Sequence, residues 1–179
     1  MPKQLTQTQT VVETVYVGID PGKQGGLAVL VPITHPRPQP GVYEARATSM
    51  PETELEIWQW LKELADSNHR LVAVIEKVHS MPKQGVVSMF TFGRNYGTLR
   101  MALTAVGAVW EAVAPEIWQR GLNIPLRKET TVQRKLKLKE AAQRLFPQLP
   151  VWREPRSLGK QKAVCDALLL AEYCRRTMK

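Results

Sequence analysis

Three acidic residues of this chain stand where acids are costly. Asp20 closes the apolar run Val15-Tyr16-Val17-Gly18-Ile19, and Glu76 directly follows Arg70-Leu71-Val72-Ala73-Val74-Ile75. Asp166 opens the run Ala167-Leu168-Leu169-Leu170-Ala171. An ionised carboxylate drawn out of water needs a compensating partner. A bound cation is the usual one, and hard oxygen donors select Mg²⁺ or Mn²⁺. Taken alone, Asp166 reads equally well as a charge near a helix N-terminus, worth about 0.3–1 kcal/mol through the dipole. The combination points to metal chemistry. The histidines are scattered at His35, His69 and His79, with no zinc spacing. His79, three residues past Glu76, is a candidate for orienting a water.

The elements that must position these acids follow from periodicity. Val15 to Asp20 and Gly25 to Val31 predict two strands joined by the Pro21-Gly22 turn, and Val42 to Thr48 a third. The glycines of Asp20-Pro21-Gly22-Lys23-Gln24-Gly25-Gly26 match neither the dinucleotide nor the P-loop pattern and are read as turn residues. Between the second and third strands, Pro32 to Gly41 holds four prolines and predicts a loop. Leu55, Trp58, Leu61, Leu64 and Ala65 fall at helical spacing within Glu52 to Ser67. Arg70 to Ile75 predicts a buried strand, Val86 to Val106 a helix rich in small residues, and Val109 to Ala114 a fifth strand. Helices are predicted over Thr130 to Leu145 and Lys162 to Arg176, with a proline-containing loop between them. Polar residues 1–14 are expected to be a disordered tail, and residues 15–179 one domain. Three antiparallel strands followed by right-handed crossovers make a mixed five-stranded α/β sheet flanked by helices. If the first and fourth strands are parallel neighbours, Asp20 and Glu76 share the carboxyl edge, about 5 Å apart.

Composition narrows the functional classes. The 179 residues are 44% hydrophobic and 23% charged, ordinary values for one globular domain. No apolar run is long enough to span a bilayer and no signal segment opens the chain, so a cytoplasmic location with no membrane partner is expected. Cys165 and Cys174 lie nine residues apart in one predicted helix, too far to bridge, which fits a reducing setting. Cys165 is read as a small buried hydrophobe. The net charge of +9 belongs entirely to the last third: Arg127 to Lys179 carries 14 basic and 5 acidic residues, while the rest balances. Such an excess fits either a polyanionic partner or a solvated helix face. Lys135 and Lys139 are four apart on one helical face, with Arg127 and Lys128 preceding them.

Three segments in order, VGIDPGKQGGLAVL, IEKVHSMPKQGVVSMFTFGRNYG and CDALLLAEYC, together resemble the RuvC-type Holliday-junction resolvases, in particular their phage and cyanobacterial-like branch. The resemblance spans about Val15 to Arg176. It implies a ribonuclease H-like fold, a homodimer, and nicking of two opposed strands of a four-way DNA junction. It also implies that Asp20, Glu76 and Asp166 are metal-binding catalytic acids, holding two Mg²⁺ or Mn²⁺ ions about 3.5–4 Å apart. Phosphate contacts are implied for Lys128, Lys135 and Lys139. For Phe90, Phe92 and Arg94 the resemblance implies contacts to DNA at the crossover, beside the reading of the two phenylalanines as core. One departure stands out. The family carries a further acid or histidine about one helical turn before the position of Asp166, and here that place is held by Lys162. Glu172 lies beyond Asp166 at the wrong helical angle to replace it. A junction-binding protein that cuts weakly or not at all is therefore the alternative. An actin-like ATPase needs two such domains, which one chain of this length does not supply.

Overall fold

The computed structural model describes residues 12–33, 41–67, 69–78, 85–124, 129–153 and 158–178. Five strands form one sheet: β1 (Thr14–Asp20), β2 (Gly26–Pro32), β3 (Tyr43–Ser49), β4 (Arg70–Glu76) and β5 (Val109–Val113), in the order β3-β2-β1-β4-β5. The β1–β2 and β2–β3 pairs are antiparallel, while β1–β4 and β4–β5 are parallel. This is the mixed sheet that the element order predicts. The parallel pairing sets Ile19 opposite Ile75, so both strands end at the same edge.

Side chains alternate across the sheet, and the two faces collect different helices. Val15, Val17 and Ile19 of β1 and Leu71, Ala73 and Ile75 of β4 pack on α1 (Glu54–Asp66) and α2 (Val86–Ala105) through Ile57, Leu61, Leu99 and Leu103. Helix α1 starts at a capping box, in which Thr53 and Glu56 satisfy each other's backbone N–H groups. The opposite face of β4, through Val72 and Val74, packs on α3 (Pro115–Gly121), α4 (Thr131–Leu145) and α5 (Leu158–Thr177). Helix α5 lies closest to the sheet. A Cβ at Gly18 would fall 2.1 Å from the Ala167 carbonyl oxygen, and one at Gly26 would fall 2.7 Å from the Ala163 carbonyl oxygen. Only glycine lets helix backbone rest on strand backbone at these two points. The segment from Ala163 to Ala167 is thereby pressed onto β1 and β2, carrying Asp166 with it.

Several boundaries differ from those predicted. β1 begins at Thr14, because the Arg70 N–H donates to the Glu13 carbonyl and extends the ladder into the expected tail. Residues 1–11 of that tail, and 34–40 of the proline-rich loop, lie outside the described residues. Helix α3 was not among the predicted elements; Pro115 opens it at a position where a missing N–H costs nothing. A 3-10 turn, Pro150–Arg153, occupies part of the predicted last loop. Helix α5 begins at Leu158 rather than Lys162. Cys165 and Cys174 are both buried and free, as their spacing requires.

The approach of α5 gives a direct stability test. Gly18→Ala should cost at least about 1–3 kcal/mol in urea unfolding, through overpacking against immovable backbone. Gly159→Ala, where a Cβ meets nothing within 4 Å, should change stability by less than about 1 kcal/mol. Similar losses in the two variants would contradict the packing described.

Candidate metal centre and phosphate cleft

Strand phase decides where the acids point. Asp20 is in phase with Tyr16 and Gly18, and Glu76 with Val72 and Val74, so both carboxylates leave the sheet on the α5 face. Helix α5 brings Asp166 to that same face. Asp166 is the ninth residue of α5, more than two turns from its start, so the helix dipole does not account for it. The alternative reading of Asp166 as an N-terminal helix charge is thus removed by the earlier start of the helix.

The immediate surroundings hold each acid differently. The Gly22 backbone N–H donates to Asp20 Oδ1 at 3.1 Å, which ties the carboxylate to its own turn. Trp118, with 0% of its surface exposed, donates its indole Nε1–H to Glu76 Oε2 at 3.0 Å. The sequence analysis did not single out Trp118, although a buried indole N–H must find an acceptor.

Burial and like charge act together on the acids. Burial pushes the Asp20 carboxyl up, against the pull of the Gly22 N–H and of Lys135. Burial, with the Asp20 and Asp166 charges added, raises Glu76 to about 8 despite the Trp118 bond. Burial and then Asp20 raise Asp166 to about 7, against Lys135. The three carboxylates form one coupled electrostatic cluster.

Among the described residues, no three His, Cys, Asp or Glu side chains are gathered tightly enough to cage an ion as they stand. The donor set itself fits a hard divalent cation. It is all oxygen and half-buried, and the mutual repulsion within it is what a cation would neutralise. Glu172 does not join it: despite its burial, Arg175 and Arg176 hold its carboxyl below the usual range through bonds of 2.7–2.8 Å.

Asp20 and Asp166 open into a cleft of about 830 Å³ whose rim carries Lys23, Lys135, Lys139 and Lys162. Lys135 and Lys139 project from α4 as their spacing predicts, with the exposed Val132 and Leu136 beside them. Lys128 and His79 lie outside the described residues. Phe90, Phe92 and Arg94 belong to α2 and do not line this cleft. Phe90 is 74% exposed, which rules out its reading as core, while Phe92 is half-buried. Arg94 is exposed and reaches Glu54 at 3.5 Å.

No protein-family model matches the chain, and no curated protein matches it. Solved structures do. The Thermus thermophilus RuvC structure superposes with a TM-score of 0.54 at 21% identity, over 90% of this chain and 96% of that one. The T. thermophilus RuvC in complex with Holliday junction substrate superposes with a TM-score of 0.52 at 19% identity, over 91% and 96%. The fold is therefore ribonuclease H-like, of the RuvC type. The resemblance read in the three sequence segments holds at the level of the fold. No helix among the described residues is long and apolar enough to cross a membrane.

The raised carboxyls predict a pH signature. Between the unfolded carboxyl range near pH 4 and the folded values of about 7 and 8, the folded state binds more protons than the unfolded one. Stability from this cluster is therefore present at low pH and lost as pH rises through the folded values. Without divalent metal, the melting temperature should fall from about pH 5.5 to about pH 8.5. Millimolar MgCl₂ should raise it more at the higher pH, where the acids are charged. An equal metal effect at both values would contradict the assignment.

Proposed function

We propose that this protein is a divalent-metal-dependent DNA endonuclease that resolves four-way junctions by paired nicks, acting as a homodimer. The observation that carries this reading is the half-buried, mutually repelling acid trio beside a lysine-rimmed cleft. The fold supports it, as one neighbour was solved bound to Holliday junction substrate. Residues 15–179 would make up the nuclease domain, working on DNA in the cytoplasm.

In this mechanism Asp20, Glu76 and Asp166 hold Mg²⁺ or Mn²⁺. The metal, when bound, supplies acidification of the attacking water and neutralisation of charge at the reacting phosphate. Lys135 and Lys139, one turn apart on α4, grip the DNA backbone and set the strand in the cleft without reading its sequence. The Gly22 N–H fixes one oxygen of Asp20, and the Trp118 indole fixes one of Glu76, so each acid presents its other oxygen in a constant direction. The cleft lysines release condensed counterions on binding, so junction affinity should fall steeply with salt. A second reading, a junction-binding protein that does not cut, is favoured by the cationic Lys162 beside Asp166. Asp20→Asn separates the two. It should lower nicking of a four-way junction at least about 10³-fold while leaving gel-shift affinity equal or tighter. A wild-type chain that binds junctions in Mg²⁺ and Mn²⁺ but forms no paired nicks would establish the second reading.

Dimerisation is supported by the surface of α2. Val86, Phe90, Gly93, Gly97 and Met101 fall on one stripe of the helix, and the apolar members are 84%, 74% and 64% exposed in chain order. A Cβ at Gly93 or Gly97 meets nothing within 4 Å. Large apolar residues at both ends and glycines in the middle suit a two-fold crossing of two α2 helices, with Val86 and Phe90 of one copy meeting Met101 of the other. The other small residues of this region serve the monomer: Ala102 is core, and Gly107 sits at φ 72° in the turn after α2. A two-fold axis also matches a near-symmetric junction, presenting one acid cluster to each of two opposed strands. Phe92 and Arg94, on the same helix, would meet DNA near that axis. Phe90→Glu should convert the dimer to a monomer in light scattering and reduce paired nicking to single nicks. A variant that remains dimeric would remove α2 as the interface.

A further inference from the structure

We propose that each active site of this protein uses one divalent ion, and that the Lys162 ammonium takes the place of a second by contacting the leaving 3′-oxygen of the scissile phosphate. The inference rests on the nuclease reading above.

Lys162 and Asp166 are one turn apart on the same side of α5, and both line the cleft that Asp20 enters. The Lys162 side chain is exposed, and among the described residues no carboxylate pairs with it. A lysine one turn from a half-buried carboxylate would ordinarily be spent on an ion pair; this one is left lining the open cleft. Charge balance sets the number of ions. Three carboxylates can neutralise one divalent ion with charge to spare. They fall one charge short of neutralising two, and the lysines in the same cleft widen that deficit, Lys135 already acting on both Asp20 and Asp166. Like charges within one cleft repel, so the ammoniums that line it disfavour a second ion there.

The chemistry balances without that second ion. The oxygen of the attacking water forms the new bond to phosphorus and gives a proton to solvent. The P–O3′ bond breaks with its electron pair on O3′, which takes a proton from the Lys162 ammonium. Solvent then reprotonates the amine, leaving a 5′-phosphate and a 3′-hydroxyl. An ammonium suits this role because it is both a charge and a proton donor.

The test is calorimetric titration of MnCl₂ into the protein bound to a four-way junction with phosphorothioate linkages at the crossover, which slow cutting. Nicking rates are read separately on an ordinary junction. The wild type should bind one Mn²⁺ per protomer, and its nicking rate should rise with Mg²⁺ with a Hill slope near one. Lys162→Asp should bind two ions and show a steeper slope. Lys162→Gln should still bind one ion and hold the junction within about tenfold of wild type, yet nick about 10²–10³-fold more slowly. Lys162→Arg, which keeps the charge, should recover part of that loss. Two ions on the wild type, or Lys162→Gln nicking at the wild-type rate, would overturn the inference and leave the nuclease reading standing. A wild type that binds no Mn²⁺ and makes no nicks would overturn both.

Discussion

The placement of three carboxylates partly out of water and within each other's field is the constraint around which this protein is arranged. Such a cluster opposes folding, since burial and like charge both disfavour the ionised acids. Glu76 is drawn up to about 8, first by burial and then by the Asp20 and Asp166 charges. The rest of the structure keeps the cluster together rather than relaxing it. Register brings β1 and β4 to a common edge, and strand phase sends both of their acids to one face. Helix α5, seated on Gly18 and Gly26, closes the third side. A protein that retains so costly an arrangement needs a use for it, and neutralisation by a divalent ion is the use its donor chemistry allows.

Around this centre the charge changes sign over a short distance. The cleft that Asp20 and Asp166 enter is rimmed by lysines from the β1–β2 turn, α4 and α5. Acids for a cation and ammoniums for phosphate thus face the same space, the pairing needed to bring a polyanion against a metal. Several charges away from the cleft are paired: Glu172 is closed off by Arg175 and Arg176, and Lys137 pairs with Glu129. Among the described residues the cleft lysines Lys23, Lys135, Lys139 and Lys162 pair with no carboxylate.

The sheet could be read in the sequence because its strands are short apolar runs punctuated by glycine and proline, and their order leaves few topologies open. The acids could be read because each interrupts or ends such a run. Helix α3 could not, since seven residues give too little periodicity to separate a helix from a loop. The start of α5 was hidden by Gly159 and the polar residues around it, which look loop-like until tertiary packing holds them. That error mattered, as it left Asp166 looking like a helix-terminal charge. The Trp118–Glu76 bond joins residues 42 apart in the chain and has no local signature. The exposure of Phe90 was illegible for a related reason, because an aromatic at helical spacing looks alike whether it faces a core or a partner.

The most direct measurement is crystallographic. Crystals soaked in MnCl₂ and measured at a wavelength where manganese scatters anomalously should show a peak ligated by Asp20, Glu76 and Asp166, lost in Asp20→Asn crystals. A fully soaked crystal with no peak among these carboxylates, or with manganese bound only elsewhere, would contradict the account at its centre.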